Sequence, residues 1–246
     1  MPFTSREKKM YRKKIYERYL TSDNFRDFNE IENQFNSINY IDQNIIDVLP
    51  NDKKAKILDI GCGFGKWLKY LKENGYIDVN GVEIGEEQNQ FLKDKGFNVI
   101  KSDIVDFLKT TNHKYSLITM FDVLEHFRKD EIVELIPLLK NILSDNGILI
   151  VRVPNGEAMY KGGIMYGDFT HETFFSARSL KQVFRLYDFG EIDVFPVYPI
   201  KHSFKSTIRY YGYKFYEFFY KVGIIFEMGQ ASDFISSQNI LGIIRK

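Results

Sequence analysis

From Lys56 onward the chain alternates short apolar runs with segments of helical spacing. KILDIG (56–61), DVNGVEI (78–84), NVIKSD (98–103), YSLITMF (115–121) and GILIVRV (147–153) read as strands. Between them lie helical segments: Phe64 to Asn74 closed by Gly75, EEQNQFLKDKG ending at Gly96, VDFLKTT, and EIVELIPLLKNIL. Pro137 falls inside the last of these and predicts a kink or a late helix start. Runs this apolar, separated by helices, predict a parallel sheet covered on both faces. Beyond Pro154 the rhythm changes, and the glycine- and aromatic-rich residues 155–177 read as a long functional loop. A helix from Ser179 to Tyr187, a sixth strand EIDVFPV (191–197), an aromatic-rich helical insert over 201–229 and a closing strand NILGIIRK (239–246) complete the pattern. Helical patterns with many tyrosines occupy 5–49. The fold expected is α/β, a seven-stranded, mostly parallel sheet with helices on both faces. Its organisation reads as a helical cap (1–50), a core (51–200), an insert (201–230) and the core's closing strand (231–246).

Composition narrows the possibilities. A chain of 246 residues with 44% hydrophobic and 27% charged residues can bury the core of one α/β domain with additions. A net charge of +1 gives no global field for nucleic acid, so no nucleic-acid partner is expected. The single cysteine, Cys62, excludes an internal disulfide and fits a reducing compartment. The charged start is unlike a secretory signal, and no apolar run approaches the roughly 20 residues that span a bilayer. These features predict a cytoplasmic protein without stable membrane insertion. The 203–226 segment is more aromatic than one exposed helix needs. It predicts packing onto its own domain, self-association into a homodimer, or contact with a membrane surface, with a soluble protein favoured.

In open parallel sheets ligands bind at the carboxyl ends of the strands, so the chemistry should follow each strand. After the first comes Asp59-Ile60-Gly61-Cys62-Gly63-Phe64-Gly65, whose glycines allow a tight turn and close approach of a ligand. A dinucleotide fingerprint would carry Gly or Ala where Lys66 stands, and Asp59 would repel a pyrophosphate. At about 4 Å and an effective dielectric near 20, one such contact is worth ~4 kcal/mol before solvation. Its sign favours S-adenosylmethionine, which carries an ammonium and a sulfonium. Glu83 can accept both ribose hydroxyls, and Asp103 can meet the adenine amino group while Ile104 packs on the ring.

ILDIGCGFG, GVEI, SDI and FDVLEH (121–126) resemble the ordered motifs of class I S-adenosylmethionine-dependent methyltransferases, over about residues 55–155. YGDFTHETFFSARSLKQVFRLYDF is similar to small-molecule methyltransferases of bacterial surface-polysaccharide biosynthesis. The resemblance implies a Rossmann-like sheet with S-adenosylmethionine as cofactor. It puts Asp59, Gly61, Gly63 and Gly65 at the methionine end and Glu83 at the ribose, with Ile84 a further cofactor contact. Asp103 and Ile104 fall at the adenine, with Phe121 and Asp122 beside the methionyl group. The aromatic insert departs from the family's compact pattern.

A sulfonium is already an activated methyl donor, so the acceptor needs positioning and a hydroxyl acceptor gains from a base. Of the four histidines, His113 and His202 read as surface residues. His171, with Asp168 three residues before it, is the preferred base, and His126 the reserve. Arg152, Asn155 and Tyr166 are candidate acceptor contacts. No zinc or calcium ligand spacing appears, so no metal is expected. The predicted activity is O-methylation of a small hydroxylated or phosphorylated acceptor, such as a sugar or a capsule or polysaccharide precursor. A non-catalytic cofactor-binding subunit docked through the insert, and a dinucleotide-dependent oxidoreductase, are the alternatives.

Overall fold

A computed structural model describes Ile15 and residues 28–36, 41–230 and 234–246. Much of the helical pattern expected over 5–49 lies outside these residues. The described part opens with α1 (Phe28–Asn36) and the single turn α2 (Gln43–Ile46). Then follow β1 (Ile57–Ile60), α3 (Lys66–Glu73), β2 (Val79–Glu83), α4 (Glu86–Asp94), β3 (Asn98–Lys101), α5 (Ile104–Thr110) and β4 (Tyr115–Phe121). A short 3₁₀ turn (Leu124–His126) leads into α6 (Lys129–Ile142) and β5 (Leu143–Pro154). The chain closes with α7 (Lys161–Tyr166), α8 (Ala177–Arg185), β6 (Ile192–Pro196), α9 (Phe204–Met228) and β7 (Asn239–Arg245).

The seven strands form one sheet in the order β3-β2-β1-β4-β5-β7-β6. All neighbours pair in parallel except β7, which lies antiparallel between β5 and β6. Side chains alternate across the sheet with period two. On one face Leu58, Ile60, Ile118 and Met120 pack with Leu135, Leu139 and Phe184 of α6 and α8. On the other Ile57 and Leu117 pack with Trp67, Leu68 and Phe91, and Ile31 and Phe35 of α1 join this cluster. Strand order reverses direction between β1 and β4, which opens a crevice at their carboxyl ends.

Several boundaries differ from the sequence pattern for local reasons. The first core helix starts at Lys66 because Gly65, with φ 73°, is its left-handed N-cap. β3 stops at Lys101, since Asp103 turns out of the strand to cap α5. β5 begins four residues before Gly147, extended by pairing of Leu143 with Tyr115. The long loop contains α7, and α8 starts two residues early on a Ser176 cap. Pro137 does not delay α6; the Val133 carbonyl that a proline leaves without its usual helical partner accepts from the Tyr187 hydroxyl at 2.6 Å.

α9 departs from a simple amphipathic helix. Ser203 caps its start, Gly229 (φ 78°) ends it, and only Ser206 and Glu217 are buried. Phe204, Phe215, Phe218 and Phe226 face solvent, the last 87% exposed. No helix among the described residues is long and apolar enough to cross a membrane. What fastens α9 is polar. Glu217 accepts from Tyr198 (3.1 Å), Ser236 (2.6 Å) and Lys214 (2.6 Å), with Lys221 at 3.4 Å. Burial opposes the Glu217 charge, yet Lys214, Ser236 and Lys221 hold its carboxyl below the ordinary range. Glu217→Ala should therefore cost about 1–3 kcal/mol in stability, read from the denaturant midpoint, because it leaves Tyr198 and Ser236 without their acceptor. Phe226→Ala should stay within about 0.5 kcal/mol.

Candidate active site

Gly61, Gly63 and Gly65 all adopt positive φ (68°, 51° and 73°) in the turn after β1. A Cβ on Gly61 would lie 2.5 Å from Val123, and one on Gly65 would lie 2.2 Å from Leu92. At Gly63 nothing stands within 4 Å. Two glycines thus permit close packing, while the third faces open space that a ligand can approach. Glu83 braces this turn: its Oε2 accepts from the Gly63 N–H and its Oε1 from the Gly85 N–H, both at 2.8 Å.

Asp59 lies behind the turn, 3% exposed, with the Thr119 hydroxyl donating to it at 2.7 Å. Thr119 is its register partner on β4. Burial pushes the Asp59 carboxyl up to about 7; Thr119 opposes the rise and the neighbouring Glu83 carboxylate adds to it. Glu83 is raised too, by burial against the opposing bonds from Gly85 and Gly63. Two buried acids behind an open glycine fit a cationic ligand with hydroxyls. They do not fit a pyrophosphate.

The other expected cofactor contacts surround this cradle. Ile84 is 40% exposed beside Glu83. Asp103 spends Oδ1 on capping α5, accepting from the Val105 N–H at 2.9 Å, and Ile104 is half-buried against the core. Phe121 stands edge-on to Trp67 (5.5 Å) beneath the Arg152 guanidinium (5.2 Å). Asp122 takes φ 57°, a strained value for a non-glycine residue that its neighbours enforce. Its N–H donates to the Arg152 carbonyl at 2.9 Å, and its carboxylate accepts from Arg152 Nε at 3.1 Å and from Nη2. Burial works against the guanidinium charge, but Asp122 outweighs it and holds the Arg152 pKa above its usual value; Glu125 and Asp59 act in the same direction.

Beyond Asp122 the 3₁₀ turn carries Glu125 and His126. The segment after α7 is stitched to it: the N–H groups of Glu172 and Thr173 donate to the Glu125 carbonyl at 2.8 and 3.0 Å, and Thr173 Oγ1 donates to the Phe127 carbonyl. This brings the His171 ring to 4.9 Å from the His126 ring. Asp168 accepts from the Thr170 hydroxyl at 2.6 Å, and that oxygen lies 2.8 Å from His126 Nδ1. Burial opposes the Asp168 charge, but the Thr170 bonds keep its carboxyl below the ordinary range, so it only accepts. The Thr170 proton points at Asp168, so an Nδ1–H on His126 would complete the contact to the same oxygen. Burial and the adjacent His171 lower the His126 pKa.

This arrangement changes the sequence reading in three places. The carboxylate of Asp168 reaches His126 through Thr170, rather than orienting His171, whose Nδ1 is buried with no hydrogen-bond partner. Asn155 is fully buried and its amide donates to the carbonyls of Ile235 (2.7 Å) and Ser237 (2.8 Å), so it fastens the chain instead of touching an acceptor. Against the expectation of no metal ligands, Glu125, His126 and His171 place one ligand-type atom each within 4.8 Å of one another. Tyr166 is 79% exposed, and His113 and His202 lie on the surface as expected. Glu125, Thr119 and Thr170 were missed. Glu125 stood in plain view beside His126, but its burial is a tertiary fact.

Residues 32–192 match the family model of a methyltransferase domain. The chain belongs to that family. Its cofactor is S-adenosylmethionine, which Asp59, Glu83 and the open face of Gly63 fit. The chain is 29% identical over 111 residues to the sphingolipid C9-methyltransferase of Candida albicans, a match covering 41% of this chain and 22% of that protein. It is 28% identical over 106 residues to the ubiquinone biosynthesis O-methyltransferase of Saccharophagus degradans, covering 39% and 44%. The matches thus span less than half of either relative. A solved S-adenosylmethionine-dependent methyltransferase from Archaeoglobus fulgidus shares the fold, with TM-score 0.63 and 20% identity over 93% of this chain and 99% of that one.

The raised Asp59 pKa gives a signed prediction. Without ligand, a carboxyl whose folded pKa exceeds its unfolded value stabilises the fold below about pH 3.8, and loses that contribution as pH climbs toward about 7. A cationic ligand needs the ionised form, so binding below pH 7 must expel a proton. Calorimetry should show S-adenosylmethionine affinity rising about tenfold per unit between pH 5 and 7, with proton release. Asp59→Asn should weaken binding and flatten this dependence; a wild-type affinity that ignores pH in that window would contradict the assignment.

Proposed function

We propose that this chain methylates a hydroxyl oxygen of a small hydroxylated or phosphorylated acceptor, such as a sugar or a capsule or polysaccharide precursor. The observation that carries the reading is the polar cluster of Glu125, His126 and His171, one turn beyond Asp122 at the carboxyl edge of the sheet. Bound S-adenosylmethionine supplies an activated methyl group, so the chain's own residues position the acceptor and receive its proton. Asp59, Gly61, Gly63 and Gly65 would hold the methionine end, and Glu83 and Ile84 the ribose. Asp103 and Ile104 would meet the adenine, with Phe121 and Asp122 flanking the methionyl group. The acceptor hydroxyl would face His126 and His171, with Arg152 holding the Asp122 edge and Tyr166 lining the entrance.

A cleft of about 410 Å³ lies between the start of β7, the segments after β5 and β6, and α9, lined by Tyr160, Tyr198, Tyr213 and Arg209 among others. Flat rings with one guanidinium suit a sugar ring carrying a phosphate. An oxygen acceptor is also in keeping with the similarity to the ubiquinone biosynthesis O-methyltransferase. The reading includes a cytoplasmic setting and association of two copies through the exposed rings of α9, to be checked by the sedimentation mass of Phe218→Ser against wild type.

The test is a screen of nucleotide sugars and phosphorylated small molecules, following S-adenosylhomocysteine release and product mass. With the acceptor found, His126→Asn and His171→Asn should each lower kcat by about 10²–10⁴ with cofactor affinity nearly unchanged. Thr170→Val should cost less, and should add little to His126→Asn because both act through one ring. Full activity in both histidine variants, or a methyl group found on nitrogen or carbon, would overturn the reading. Cofactor binding without transfer to any acceptor would favour a non-catalytic subunit.

A further inference from the structure

We propose that Glu125, His126 and His171 form a binding site for a divalent transition-metal ion of the Zn²⁺ class, beside the cofactor cradle. Their ligand atoms lie within 4.8 Å of one another. Metal–ligand bonds of about 2.0–2.1 Å would draw them in by small side-chain rotations. Two imidazoles and one carboxylate form a set that Zn²⁺ accepts in sites that keep a fourth position open for water or substrate.

Two independent features point to a ligand here. Glu125 is 0% exposed, and neither of its carboxylate oxygens has a hydrogen-bond partner; His171 Nδ1 is buried in the same condition. Unmatched buried polar atoms are costly and rare in folded proteins, and a shared cation would satisfy all three at once. The second feature is the support behind His126. Asp168 accepts from the Thr170 hydroxyl, whose oxygen lies 2.8 Å from His126 Nδ1; an Nδ1–H donating there would direct the ring's lone pair to Nε2 and so to an ion. Metal-ligating histidines are commonly held in this way, the far nitrogen donating to a carboxylate or another acceptor. Here one hydroxyl stands between ring and carboxylate. The stitching of residues 172 and 173 to the Glu125 carbonyl fixes the backbone that carries the third ligand.

Ion binding follows from these residues alone. Its use rests on the transferase reading and changes the proton's route: with both imidazoles bound to the ion, an acceptor hydroxyl on the open position would be acidified and would lose its proton to water, in place of a histidine, before its oxygen takes the methyl group.

The experiment uses the full chain stripped with a chelator and titrated with Zn²⁺ by calorimetry and with Co²⁺ by visible absorption. One equivalent should bind, with the d–d bands of a low-coordinate Co²⁺ site. Glu125→Gln, which keeps the side-chain shape, and His171→Ala should each weaken binding at least 100-fold. Thr170→Val should weaken it about 10- to 100-fold through the supporting bond. His113→Ala, on the surface, should bind as wild type. Substoichiometric binding, or binding that Glu125→Gln and Thr170→Val leave unchanged, would overturn the proposal. Methyl transfer that persists in metal-free protein would overturn the ion's use while leaving the transferase reading intact. Loss of cofactor binding in untreated protein would count against that reading instead.

Discussion

Asp59 and Glu83 sit on adjacent parallel strands with both carboxylates out of water and close enough for the Glu83 charge to disfavour ionisation of Asp59. Burial alone would make this pair a defect, since an unpaired buried charge is among the costliest features a fold can carry. The turn after β1 manages it in part. Glu83 collects two backbone N–H groups, and Asp59 receives the Thr119 hydroxyl. What stays unmet is a positive charge, which a cationic cofactor would supply. Much of the local architecture follows from that need: three left-handed glycines, the open face of Gly63, and a strand-order reversal that leaves a crevice in front of them.

The turn after β4 is organised by a second device, the fastening of the segment after α7 to its 3₁₀ helix. Backbone bonds to Glu125 and the Thr173–Phe127 contact hold the two together. His171 then meets His126, forty-five positions earlier in the chain, over a buried carboxylate. Arg152 connects the two halves, paired with Asp122 and within electrostatic reach of both Asp59 and Glu125. A change in charge at either end is therefore felt at the other through one guanidinium.

α9 obeys a different rule from the rest of the fold. Its hold on the domain comes from Glu217 and its hydroxyl and lysine partners, while large rings remain in water. A helix anchored by a polar core and ringed by exposed aromatics is suited to covering by another surface. That is why its sequence looked at once like an interior helix and like an interface.

The alternation of apolar strands and helices determined the sheet, its parallel sense and the positions of Asp59, Glu83 and the glycines, because these depend on period, strand-end placement and backbone freedom that neighbouring residues reveal. Boundaries slipped where a cap decided them, as at Gly65 and Asp103. Asn155 and Glu125 illustrate what the sequence could not settle. Each is a polar residue after a strand, yet one is spent entirely on backbone groups and the other is buried with nothing to accept from. The same holds for Asp168, whose partner was read as the histidine three residues on and is His126 by way of Thr170. Burial and long-range hydrogen bonding are properties of packing between segments far apart in the chain, so only the tertiary structure decided which acids and histidines act together.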